Sequence, residues 1–439
     1  MKPIKIAYNW IGPQGPILNT EVPNILALAC VTEQVNTTSR NFFAEGLWHS
    51  LFKDSPDAQL SPAWALDNNA LFIYPLTLNC RISFNTYFQI DNGILEYAHV
   101  PNHILHHVRC SGGYFLIEHS AEAWVEDEYL SALHSYFNYI KVPLNKVIYV
   151  TGCMNTEVVY ESYCQRNNVP NSPECRLNLV SFPISQHSIA VQLAIKAQDN
   201  VADIVYDPNL LPSKIFLSWN RRFRPHRSLL AVAMHKDGLL PKSYLSTLAL
   251  DPDQGRYSFR DSFPWGTESI FNLTSEDVNN FIEILPLDID GATDINVLCG
   301  DENGTTDRFY ADSLLSIITE TNFESPILTL TEKSFKQFKQ KHPFILVSPA
   351  GSLRAMHALG FQTFSEFWSE EYDSITDANM RLVEIRRVCN EIALWDSAKI
   401  IDFKHRVKNI IDHNYQQVRI SAGVVAAQNI VNIVRKNTP

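Results

Sequence analysis

The stretch YFLIEHSAEAWVEDEYLSALHSYFNYIKVPLNKVIYV, residues 114–150, decides the fold class. It opens on Tyr114-Phe115-Leu116-Ile117, an apolar run of buried-strand length, followed by Glu118-His119-Ser120-Ala121-Glu122. A helical pattern then runs from about Glu126 to Tyr139, and Lys146-Val147-Ile148-Tyr149-Val150 forms a second buried run. Strand, helix and strand within about 35 residues make a βαβ unit, whose crossover requires a parallel sheet covered on both faces.

The same rhythm extends outward. A helix is expected at 157–166 and an apolar strand at 177–182; upstream, residues 4–10 read as a strand entering the Gly/Pro turn 11–16. Residues 20–100 alternate short apolar runs with Asn-rich loops and are assigned to strands and one helix. After a Pro-containing connector, 206–212, a second set begins with the strand Lys214-Ile215-Phe216-Leu217-Ser218. A helix from Ser228 to Lys236 is stopped by Asp237-Gly238. The run Leu314 to Thr319 is a buried strand ending in Glu320; Thr331-Glu332-Lys333 opens a helix; Phe344-Ile345-Leu346-Val347 is a strand running into Ser348-Pro349-Ala350-Gly351-Ser352-Leu353 and another helix. The expected organisation is α/β, with domains at 1–210 and 211–395 and a helical tail, 396–439, packing across them.

With 439 residues, 45% hydrophobic and 19% charged, the chain has globular composition. A net charge of -11 disfavours a protein living on nucleic-acid phosphates. The eight cysteines form no Cys-x-x-Cys pair, and neither a signal peptide nor a membrane-spanning run is evident, so buried thiols in the cytoplasm are expected. His103, His106 and His107 read as a solvated loop, and Asp288-Ile289-Asp290 as a surface loop; no metal is expected.

Ligands of open α/β sheets bind at the carboxyl ends of the strands. There lie Glu118, the segment Asn220-Arg221-Arg222-Phe223-Arg224-Pro225-His226-Arg227, Glu320, and Ser348 to Ser352. Four arginines and a histidine between a strand and a helix suit a diphosphate, because guanidinium forks match phosphate oxygens and helix amides add favourable dipole. In Thr331-Glu332-Lys333 the carboxylate suits ribose hydroxyls and the ammonium a phosphate; equally, Thr331 can cap the helix and Glu332 can favour its first turn.

Strand 316–320, the Leu330-Thr331-Glu332-Lys333 helix start and Pro343-Phe344-Ile345-Leu346-Val347 resemble the donor-binding region of the family 10 fucosyltransferases. Ser218-Trp219-Asn220 through Arg227 is similar to the Ser-Asn-x-Arg segment that opens the same domain there. His342 to Val347, Gly351-Ser352-Leu353, Leu359 to Phe364 and Glu370-Glu371-Tyr372-Asp373 resemble a group of bacterial and bacteriophage proteins assigned to the glycosyltransferases by class alone. The resemblance covers roughly 214–385. It implies a GT-B fold, two Rossmann-like domains facing a central cleft, and inverting transfer from a nucleoside-diphosphate sugar, GDP-linked by preference, to a glycan or other hydroxyl acceptor. No other cofactor is implied. Arg227 and Lys333 would meet the diphosphate and Glu332 the ribose. Glu320 would line the donor pocket, with Asn220, Arg221, Arg222, Arg224, His226, Thr331, Ser348 and Gly351 around it. The loop after Val347 departs from the family, where a short glycine turn is usual. An inverting transfer needs a general base, for which Glu118, Glu122 and His119 are the candidates. A DNA or modified-base acceptor, and a non-catalytic interaction role, are the alternative readings.

Overall fold

The computed structural model describes residues 3–8, 56–62, 66, 70–77, 90–91, 94–95, 102–120, 123, 125–198, 206–220, 222–250, 257–289, 307–420 and 422–436. The chain divides into two compact units, 1–187 with 421–439, and 188–420. The division falls inside a helix, so the connector 206–212 and the expected boundary at 210/211 lie within the second unit so defined.

In the first unit the elements are β1 (Ile4–Tyr8), β2 (Ala58–Pro62), β3 (Phe72–Thr77), the two-residue strands β4 (Ile90–Asp91) and β5 (Ile94–Leu95), and α1 (Asn102–Cys110). They continue with β6 (Gly113–His119), α2 (Asp127–Tyr139), β7 (Val147–Thr151), α3 (Thr156–Arg166), β8 (Asn178–Ser181) and α4 (Ile184–Gln198), in which the division falls. Six strands form one sheet in the order β2-β1-β3-β6-β7-β8, with every neighbouring pair parallel. β6 and β7 are buried throughout, as expected of strands covered on both faces. The histidines at 103, 106 and 107 sit on helix α1, not in a loop: His107 is buried edge-on against Phe72, so the segment carries a core face.

In the second unit β9 (Lys214–Asn220), α5 (Pro225–Lys236), β10 (Ser243–Thr247), α6 (Phe259–Ser262), α7 (Ser275–Glu283) and α8 (Asp307–Ala311) lead to β11 (Ser313–Thr319). Next come α9 (Glu332–Lys339), β12 (Phe344–Val347), α10 (Ser352–Ala358), α11 (Ala378–Ile392) and α12 (Ser397–Val418). The sheet order is β10-β9-β11-β12, again all parallel. Chain order therefore reverses between β9 and β11: the connection leaving β9 goes outward to β10, and the one leaving β11 goes the other way to β12. Such a switch point opens a crevice at the carboxyl ends of its two strands. Helix α5 begins at Pro225, three residues before the expected Ser228. Proline is preorganised for the first helical position, and this start places His226 and Arg227 in the first turn.

The last helix, α13 (Ala422–Lys436), belongs to the first unit although α12 belongs to the second. Its Ala422, Ala426, Ile430 and Val434, spaced four apart, pack with Ile4, Ile73, Tyr114, Leu116, Ile148 and Val150. Arg435 pairs with Asp57 at 2.5 Å.

Candidate functional site

A cavity of about 330 Å³ opens at the β9/β11 switch point. Its strand walls are Leu217 and Trp219 from β9 and Ser316 to Thr319 from β11; Arg222, Arg224 and Arg227 enter from the turn and first helical turn after β9. Thr321 follows β11, Tyr310 comes from α8, and α9 contributes Glu332, Lys333, Lys336 and Gln337. The lining thus holds five cationic side chains and one carboxylate, an imbalance that favours an anionic guest.

Local sequence builds this geometry. Thr319 donates to Asn220 Oδ1, Asn220 Nδ2 donates to Ser218 Oγ at 3.1 Å, and Ser218 Oγ donates to the Ile317 carbonyl at 3.1 Å. These contacts pin the carboxyl ends of β9 and β11 at the point where their connections part. Arg227 is buried and donates to the carbonyls of Arg222 (2.9 Å), Thr319 (2.8 Å) and Glu320 (3.3 Å). Among the described residues no carboxylate bonds it, and its Nε has no hydrogen-bond partner. Burial, then Arg224, pushes the guanidinium down to about 10, opposed by Glu320 and Glu332; it stays charged at neutral pH. A buried cation served only by carbonyls keeps its charge uncompensated, which favours negative charge nearby.

Helix α9 is held by the acid after β11. Glu320 is fully buried: Oε1 accepts from the Thr331 amide (2.9 Å) and Ser334 Oγ (2.6 Å), and Oε2 from Thr331 Oγ1 (2.7 Å). Thr331 in turn caps the helix, receiving the Lys333 amide at 3.4 Å and Lys333 Nζ at 3.1 Å. Lys333 Nζ also meets Glu332 Oε1 at 2.9 Å. Burial by itself would raise the Glu332 carboxyl, but Lys333 and the local hydrogen bonds outweigh it and hold the group below the ordinary glutamate value.

The expected site residues therefore divide. Arg222, Arg224, Arg227, Glu332 and Lys333 converge on the cavity. Asn220, His226, Glu320 and Thr331 lie behind its wall as supports: His226 Nε2 bonds the Glu320 carbonyl at 3.0 Å and its ring stacks on Phe323 at 4.9 Å. Ser348 and Gly351 do not line it. Asp373 occupies the start of α10, accepting from the amides of Leu353 (2.9 Å) and Arg354 (3.2 Å), while the Ser348 carbonyl serves Arg381. Arg221, Glu122 and Asp290 lie outside the described residues. Glu118 and His119 belong to the first unit. Glu118 is buried and accepts from the amide and hydroxyl of Ser120, and burial pushes its carboxyl up. His119 Nδ1 meets Tyr149 Oη at 2.9 Å, and burial holds its imidazole down at about 3. Sequence reasoning missed Trp219, Tyr310, Lys336 and Gln337. The last two were findable as the i+4 neighbours of Glu332 and Lys333; nothing local marks Tyr310. Among the described residues no three His, Cys, Asp or Glu side chains are grouped to share a metal ion, and no helix is long and apolar enough to cross a membrane.

No protein-family model matches the chain, and no curated protein does. Among solved structures it is similar to the α,α-trehalose 6-phosphate synthase of Burkholderia multivorans, at 9% identity over 84% of this chain and 71% of that one, TM-score 0.41. It is also similar to the UDP-forming α,α-trehalose-phosphate synthase of Burkholderia vietnamiensis (10% identity, 85% and 74% covered, TM-score 0.38). A third similar structure is the N-terminal domain of Candida albicans trehalose-6-phosphate phosphatase (10%, 99% and 97%, TM-score 0.40). Likeness at this level defines neither fold nor activity.

Proposed function

We propose that this chain is a glycosyltransferase of the GT-B type, taking a sugar from a nucleoside-diphosphate sugar held in its second unit. The observation that carries the reading is the cationic cavity at the β9/β11 switch point, with buried Arg227 bonded to no carboxylate among the described residues. In the reaction an acceptor hydroxyl attacks the anomeric carbon as the bond to the distal phosphate oxygen breaks, and the nucleoside diphosphate leaves with the electron pair. Arg222, Arg224, Arg227 and Lys333 would stabilise the charge that builds on that leaving group. The acceptor proton needs a base, for which Glu118, Glu122 and His119 are the proposed candidates. Inversion, a GDP-linked donor and a glycan-like acceptor are proposed on the fucosyltransferase resemblance alone.

Thermal unfolding with GDP, UDP, ADP and pyrophosphate tests the reading, because a ligand of the folded state raises the melting temperature. At least one nucleoside diphosphate should do so. Lys333→Met, at a partly exposed position that leaves the fold intact, should weaken it by roughly 10- to 150-fold, the worth of one charge-assisted contact. No shift with any of the four ligands sinks the proposal. Binding without turnover over a broad acceptor screen would instead mark a nucleotide-sugar-binding module.

A further inference from the structure

A lysine in the first turn of a helix stands against the macrodipole, whose positive end favours acids there. Lys333, the second residue of α9, is so placed, and helix stability does not account for it. Nor does spacing account for its contact with Glu332. Consecutive helical residues do not face each other, yet Lys333 Nζ reaches Glu332 Oε1 at 2.9 Å. The ammonium folds back over the start of the helix, where it also meets Thr331 Oγ1 at 3.1 Å. Both residues line the cavity, and their side chains remain accessible, Lys333 at 33% and Glu332 at 39%.

The pair is the electrostatic exception in this site. Among the described lining residues five are cationic and one, Glu332, is a carboxylate, and that carboxylate is paired with a cation that a phosphate would use. A phosphate arriving at Lys333 must compete with Glu332 for the ammonium, and it meets like charge as it does so. If the pair opens, the carboxylate is left beside an anion. A ligand that carries charge alone offers it no donor. A ligand with hydroxyl groups next to its phosphate does, so the carboxylate exchanges an ammonium for O–H donors in charge-assisted bonds. Selectivity of this kind combines attraction for one ligand with repulsion of another.

We propose that Glu332 is a specificity-determining residue that closes Lys333 to inorganic pyrophosphate and releases it to a phosphate borne by a hydroxyl-bearing ligand. The inference rests on the nucleoside-diphosphate reading above and adds what the site refuses. In the empty site Glu332 occupies Lys333. In the loaded site the ligand's hydroxyls hold the carboxylate and its phosphate holds the ammonium. Arg222, Arg224 and Arg227 supply charge that attracts any anion, so discrimination between anions falls to the pair on α9.

Calorimetric titration of the full chain with GDP, UDP and pyrophosphate tests this. Glu332→Gln keeps the shape of the side chain and removes its charge. Pyrophosphate should then bind about two- to five-fold more tightly, the worth of a partly exposed ion pair. The better nucleoside diphosphate should bind about two- to five-fold more weakly, having lost bonds to a charged acceptor, so that its preference over pyrophosphate falls about ten-fold. With Lys333→Met already in place, Glu332→Gln should tighten pyrophosphate by no more than about 1.5-fold, because the cation under competition is gone. Pyrophosphate binding unchanged or weakened by Glu332→Gln overturns the assignment. So do equal changes for pyrophosphate and nucleotide, and a gain that survives the loss of Lys333; each of these outcomes leaves the nucleotide site standing. A parent chain that binds no nucleoside diphosphate overturns this inference and the proposed function together.

Discussion

Replacing Glu320 with alanine should damage the site without removing a group that touches the ligand. Three hydrogen bonds between 2.6 and 2.9 Å converge on this carboxylate, from the Thr331 amide, the Thr331 hydroxyl and the Ser334 hydroxyl. Bonds to a charged group contribute roughly 1.5–3 kcal/mol each. The sum overstates the loss, because both hydroxyls can turn to other acceptors; the Thr331 amide cannot. A loss of about 3–4 kcal/mol is expected, a large part of the roughly 5–15 kcal/mol by which a domain is stable. Glu320→Gln should cost less, about 1–2 kcal/mol. Its oxygen can still accept two bonds, but its NH2 would face a Thr331 oxygen that already receives the Lys333 amide and ammonium. Urea denaturation gives the stability, and hydrogen exchange over 334–339 gives the local effect, since α9 hangs from this carboxylate. Nucleoside-diphosphate affinity should fall in step with the loosening of α9 and recover largely in Glu320→Gln. If Glu320→Ala leaves stability and α9 protection intact yet abolishes nucleotide binding, Glu320 touches the ligand and the supporting role is refuted.

Acid should destabilise both units. Burial lowers His119 and His226 to about 3 and His134 and His342 to about 4, so each is neutral when folded and binds a proton near 6.5 when unfolded. Their contribution is complete above about pH 6.5 and is lost as pH falls toward 4–3, on the order of 1 kcal/mol per histidine for the first unit of pH. A urea midpoint that does not fall between pH 7 and 5.5 would contradict this. Gly360→Ala should destabilise by at least about 1 kcal/mol, because φ is +85° and a Cβ would come within 2.6 Å of Gln417 Nε2; thermal denaturation reads it. Asp373→Ala removes the carboxylate from the start of α10 and should cost about 1–2 kcal/mol while leaving nucleotide affinity unchanged. A binding loss there would return the loop after β12 to the site.

Much of the fold was legible because its strands are buried on both faces and announce themselves as unbroken apolar runs. Residues 114–150 fold as β6, α2 and β7, and the strands at 214 and 344 begin where the sequence predicts them. The arginine-rich turn and Thr331-Glu332-Lys333 were visible because charge and capping signals are local. The roles within those segments were less so. His226 and Arg227 are adjacent, yet one stacks on Phe323 and the other lines the cavity, a difference set by which way the first turn of α5 faces.

By itself the sequence determined the α/β class, the strands β6, β7, β9, β11 and β12, and the concentration of cationic groups after β9, since each follows from periodicity and composition within a short window. Only the tertiary structure decided the strand order that puts the switch point between β9 and β11, and the return of α13 to the first unit. It alone turned Glu320 inward to Thr331 and Ser334, gave the start of α10 to Asp373, and set Trp219, Tyr310 and Gln337 around one cavity. Those outcomes depend on which distant residues meet, and hydrogen bonds between elements far apart in the chain leave no periodic trace along it.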